Sequence, residues 1–217
     1  MSQLGVIVNY SFLIPLLLGV LSFSHHAKGV RVFLYYLLAS GLVAIYSIVL
    51  GSQGTNNLHS VHFFAPIEFV WLYLLVHLWG GVKHTRLVQA LLITGMFVIA
   101  IISGRYIHGL QQYPLIPVLY EATVLVFVMG THLTQRLANR YVWYREPDML
   151  ISIGLILYFS IMAVTRLSFN ALMGESTMGL LISIYHVFLV VSLLCNLMYG
   201  WAFWQMRLKG RKALAAS

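Results

Sequence analysis

The chain has 217 residues, 60% of them hydrophobic and only 8% charged, and its 13 Lys and Arg against 5 Asp and Glu give a net charge of +8. An average soluble domain carries roughly 25% charged residues, so this composition excludes a soluble catalytic domain or a nucleic-acid-binding module and describes a chain solvated by lipid. Without water, backbone polar groups are satisfied only in helices or in a closed barrel. Continuous apolar runs of about 20 residues, rather than alternation with period two, select helices.

In chain order the apolar stretches are 5–23, 31–51, 58–79, 87–104, 114–135, 149–170 and 179–204. They predict an all-α integral membrane protein, a single seven-transmembrane-helix bundle over residues 1–217. No Lys or Arg precedes the first stretch and no small-residue cleavage pattern follows it, so it is expected to stay as a permanent helix. Lys28 and Arg31 lie in or at the edge of the first gap, Lys83 and Arg86 in the third, and Arg136, Arg140 and Arg145 in the fifth; Arg207, Lys209, Arg211 and Lys212 follow the last stretch. Only Arg105 and Arg166 fall on the other side. Short basic loops are retained in the cytoplasm, which predicts the N-terminus outside and the C-terminus in the cytoplasm. The positive charge is therefore read as topology, with no nucleic acid as partner.

Aromatic anchors flank the stretches, with Trp79, Trp143, Tyr144, Trp201 and Trp204 toward the basic side and Tyr106 and Tyr113 toward the other. The segment from Arg136 to Asp148 mixes bases with aromatics, which suits an anchor on anionic membrane lipid or a docking surface for a signalling protein at the cytoplasmic face. Pro147 fits the first turn of the sixth helix. Ser40 and Ala44 give a small-residue packing spacing in the second. Cys195 is the only cysteine, so no intramolecular disulfide forms.

Two of the five acidic residues, Glu68 and Glu121, lie inside apolar stretches. A charge at the bilayer centre costs on the order of 2.5–3.5 kcal/mol, so each needs a partner, a proton or water. His62, His186, Tyr158 and Arg166 are expected at a similar level in the outer half, outlining a polar cavity open to the outside. At 100° per residue, Glu68 shares a stripe with Asn57, Val61, Phe64, Leu72, Leu75 and Trp79, whereas His62 lies about 120° away. Glu121 shares its face with Pro117, Val128 and His132, and Tyr158 lines up with Met162 and Thr165. The ligand-binding or proton-sensing set is therefore Glu68, Glu121 and His186, with His62, Tyr158 and Arg166 secondary. No catalytic, cofactor-binding or metal-binding residue is assigned: the last helix has no Lys for a retinal Schiff base, and no HExxH or i, i+4 His pair marks a zinc site.

Four pieces of sequence carry a likeness: Asn56 to Glu68 (NNLHSVHFFAPIE), Tyr120 with Glu121, Pro147 to Ser160 (PDMLISIGLILYFS), and His186 early in the last stretch. On these the chain resembles an uncharacterised family of bacterial seven-transmembrane proteins similar to sensor-type membrane modules that occur attached to or beside histidine kinases. It departs from that pattern one turn after His186, where Leu189 and Val190 stand in place of an Asn. The resemblance implies a multi-pass sensor or receptor-like protein of the cell inner membrane, acting through a cytoplasmic or membrane partner. The alternatives are an intramembrane hydrolase acting on lipid, with a Glu or His as base, and a small-solute transporter. The latter is weakened by the lack of repeated halves.

Overall fold

The computed structural model describes residues 3–23, 28–80, 85–107, 113–138, 146–172 and 177–215. His25, His26, Lys83, His84, His108, Arg140, Trp143, Tyr144 and Arg145, which figure in the expectations above or share their loops, lie outside them. The described residues hold helices α1 (Gln3–Ser11), α2 (Leu13–Leu21), α3 (Lys28–Ser52), α4 (Leu58–Leu78), α5 (Arg86–Ile102), α6 (Leu115–Ala138), α7 (Pro147–Ala171) and α8 (Met178–Ala215), and no strand. Among them, six helices are long and apolar enough to cross a membrane: α3, α4, α5 with its extension, α6, α7 and α8. The protein is an all-helical, multi-pass membrane protein.

The first apolar stretch differs from expectation, being two nine-residue helices joined at Phe12. Pro15 is the cause. It has no N–H for the carbonyl of Ser11, four residues back, and its ring crowds that carbonyl. The chain stays in helical conformation through Phe12 (φ −62°, ψ −20°), and Leu16 N–H resumes the ladder onto the Phe12 carbonyl at 3.3 Å. α8 also differs, running to Ala215 where the apolar stretch ends near 204. Hydropathy marks where lipid ends, but Leu, Lys, Arg and Ala continue a helix into water. At 1.5 Å per residue its 38 residues reach about 57 Å, well beyond the roughly 30 Å of hydrocarbon.

Packing partners form a closed ring: α2 against α3, α3 against α4, α4 against α6, α6 against α7, α7 against α8, and α8 back against α1 and α2. α5 stands outside, against α4 and α6, with only 11% of its apolar window buried. A π turn at Ser103–Ile107 closes it. Pairs in this ring that are consecutive in sequence run antiparallel, whereas α4 and α6 run parallel, Trp79 just after α4 stacking on His132 near the end of α6. α3 and α4 are joined at one end by Ser47 with Ser60 (2.9 Å) and Asn57 Nδ2 donating to the Ser47 carbonyl (2.9 Å), and at the other by Trp71 Nε1 donating to the Val32 carbonyl (3.1 Å). α2 instead runs parallel to α8: Asn196 meets Ser11 and Phe203 approaches Gly19, so both chains advance together.

The surface is inverted relative to a soluble protein. Leu17, Leu42, Leu87 and Phe127 are each more than 60% exposed, while Glu121, His132 and Ser152 are at most 1% exposed. Lipid solvates the first group. Hydroxyls within the helices bond back to their own carbonyls, as Thr123, Thr131, Thr134 and Ser192 do at 2.8–2.9 Å.

Candidate functional site

The ring encloses an aromatic and acidic cluster. α4 contributes Glu68, and the Tyr36 hydroxyl on α3 donates to its Oε1 at 2.5 Å. Tyr36 is only 5% exposed, held by stacking on Phe33, so its ring has one place to point. α6 contributes Glu121, 1% exposed, whose Oε1 has no hydrogen-bond donor. The two glutamates lie within electrostatic range of each other. Tyr158 on α7 and Tyr113 before α6 sit within range of both glutamates and of Arg166. Tyr199 on α8 completes the floor, its buried hydroxyl likewise unpartnered.

Arg166 does not reach a carboxylate. Its guanidinium lies over the Tyr113 ring, 4.3 Å from the centroid, at the end of the bundle opposite the basic one. Among the described residues neither glutamate has an ion-pair partner. The interior thus holds two carboxylates near one cation.

A cavity of about 150 Å³ adjoins the cluster between α3, α7, α8 and Phe12 at the junction of α1 and α2. Tyr36, Tyr158 and Tyr199 face it from the cluster side, and Ser40, Ser192 and Asn196 from the other. By liquid volume it has room for about five waters. Cys195 borders it, but its thiol donates to the Gly154 carbonyl at 3.1 Å, so it is occupied as a donor.

Of the sequence-predicted residues, the fold brings together Glu68, Glu121, Tyr158 and Arg166. His62 is buried on a different side of α4, in a groove shared with α5, as its 120° offset from Glu68 requires. His186 lies on the exposed face of α8, with Nδ1 2.8 Å from the Ile182 carbonyl of its own helix. One ring nitrogen is thus taken up within its own helix. At the same end, Tyr46 on α3 and His59 on α4 pair with each other at 3.2 Å.

Sequence reasoning missed Tyr36 and Tyr199, because tyrosines in apolar runs look like interfacial anchors. A mid-span Glu needing a donor was the available signal for Tyr36. It also missed a second polar site at the basic end. There His132, fully buried, stacks on Trp79 (5.6 Å between centroids) and lies 3.5 Å from Asp148 Oδ2, which Arg136 Nη2 approaches to 2.7 Å. Lys209 on α8 lies 3.6 Å from Glu146 just before α7. Among the described residues no three His, Cys, Asp or Glu converge as a metal-ligand group. No family model, no curated protein and no solved structure matches this chain.

Proposed function

We propose that this is a seven-span sensor-type protein of a bacterial inner membrane, with the N-terminus outside and the basic end in the cytoplasm. In this reading α1 and α2 together make the first span: residues 3–21 cover about 28 Å at 1.5 Å per residue, close to the hydrocarbon thickness. The input is a proton or small cation arriving from the outer side. The observation that carries this is the interior charge balance among the described residues, with Glu121 Oε1 buried without a donor, Glu68 within electrostatic range and Arg166 the cation nearby. A carboxylate so placed is costly unless a cation, a proton or water joins it.

The output route is α6. The helix that carries Glu121 also carries His132 and Arg136, which grip Asp148 of α7 at the other end. A sensor needs two helix arrangements that differ in affinity for the input, and α6 reaches both the cluster and the basic surface where a signalling partner docks. A test places spin labels at Leu78 and Leu137, both exposed at the basic end, in a Cys195→Ala background. The inter-label distance distribution should change on acidification or added monovalent cation in vesicles, and Glu121→Gln should abolish the change. A response unaltered in both Glu121→Gln and Glu68→Gln ends this assignment. Reporter fusions placing the C-terminus outside would overturn the orientation.

A further inference from the structure

We infer that the lipid-facing groove between α4 and α5 is a binding site for a single anionic phospholipid, its phosphate held by Arg105. The groove, about 500 Å³, is walled by Phe63, Ile67 and Phe97, with Gly104 and Arg105 at one end beside His62. It continues along the same two helices into a second depression of about 530 Å³, sharing Ile67 and Phe97 and reaching Trp71 and Leu74. From His62 to Leu74 is 12 residues of helix, about 18 Å, comparable to the depth of one leaflet, about half of the roughly 30 Å core.

The polar end decides the headgroup. Arg105 is exposed in the π turn Ser103–Ile107, and among the described residues no carboxylate pairs with it. It is one of only two Lys or Arg on its side of the chain, so its placement at the groove mouth is not part of the topogenic charge. Gly104, with no side chain, leaves the mouth open. A guanidinium matches phosphate oxygens in bidentate geometry, while the remaining lining is apolar. An acyl chain with an anionic head therefore fits both parts, which neither a free anion nor an apolar molecule does. α5 is the helix outside the ring, so a lipid seated here fills the seam between it and α4.

Full-length protein in phosphatidylcholine vesicles doped with phosphatidylglycerol, extracted and examined by native mass spectrometry, should retain phosphatidylglycerol preferentially. Arg105→Gln is expected to reduce that preference roughly fivefold, and Arg105→Lys to keep most of it. Ala100→Leu, which narrows the groove, should lower retention of both lipids. Retention of phosphatidylglycerol by Arg105→Gln equal to the parent overturns the inference. So does inorganic phosphate displacing the lipid at equal concentration, or retention in Ala100→Leu that is undiminished.

Discussion

Replacing Tyr36 by Phe removes one oxygen and little volume, and so isolates the bond that joins α3 to α4 at the centre of the bundle. The hydroxyl lies 2.5 Å from Glu68 Oε1, and the Tyr36 ring is 5% exposed. Interhelical hydrogen bonds in a bilayer average about 0.6 kcal/mol and reach about 1.7. A bond to a carboxylate is roughly twice as strong as a neutral one, which puts the loss at about 1–2 kcal/mol, or about tenfold in the unfolding constant at 1.4 kcal/mol per decade. Glu68→Met should also destabilise, by stranding the Tyr36 hydroxyl. The double variant should cost less than the sum of the two, because removing both partners leaves nothing unsatisfied. A coupling energy of about 1 kcal/mol is expected from equilibrium unfolding in mixed micelles followed by circular dichroism. Tyr35→Phe, on the neighbouring residue that is 47% exposed to lipid, is the control and should be silent. A single-variant cost and a coupling energy both indistinguishable from zero would refute the reasoning.

Gly154→Ala should destabilise by about 1–3 kcal/mol, the cost of overpacking, because a methyl there runs into the edge of the buried Tyr199 ring; Tyr199→Leu in the same background should recover part of it in the same unfolding assay. Asp148→Asn should cost about 1–2 kcal/mol, between the values for exposed and buried ion pairs, because Arg136 remains about one-third exposed while Asp148 and His132 do not. A thermal melt of the purified variant lying on that of the parent would count against the clasp. Cys195, 1% exposed and donating to Gly154, should resist maleimide in the folded protein and react fully once unfolded, as read by intact mass.

The position of Glu121 was legible before any tertiary structure. The face shared by Pro117, Glu121, Val128 and His132 is the buried face of α6, because 100° per residue places them together whatever they pack against. The separation of His62 from Glu68 followed from the same geometry. His186 was not legible: a histidine can bond its own helix as well as a neighbour, and sequence does not say which. Nor was the basic-end clasp, because Asp148 sits at a helix start where acidic residues are ordinary and His132 lies two turns before the next loop.

By itself, the sequence determined that the chain is helical and membrane-embedded, since lipid allows no unpaired backbone, and where most apolar segments begin and end. Tertiary structure decided which helices close the ring, that α5 stays outside it, that Pro15 divides the first segment, and that Tyr36 and Tyr199 rather than Tyr35 or His186 face the interior. The reason is physical. Lipid tails and a protein core are equally apolar, so hydropathy does not record which face of a helix turns inward; interlocking shape and the few hydrogen bonds between helices do.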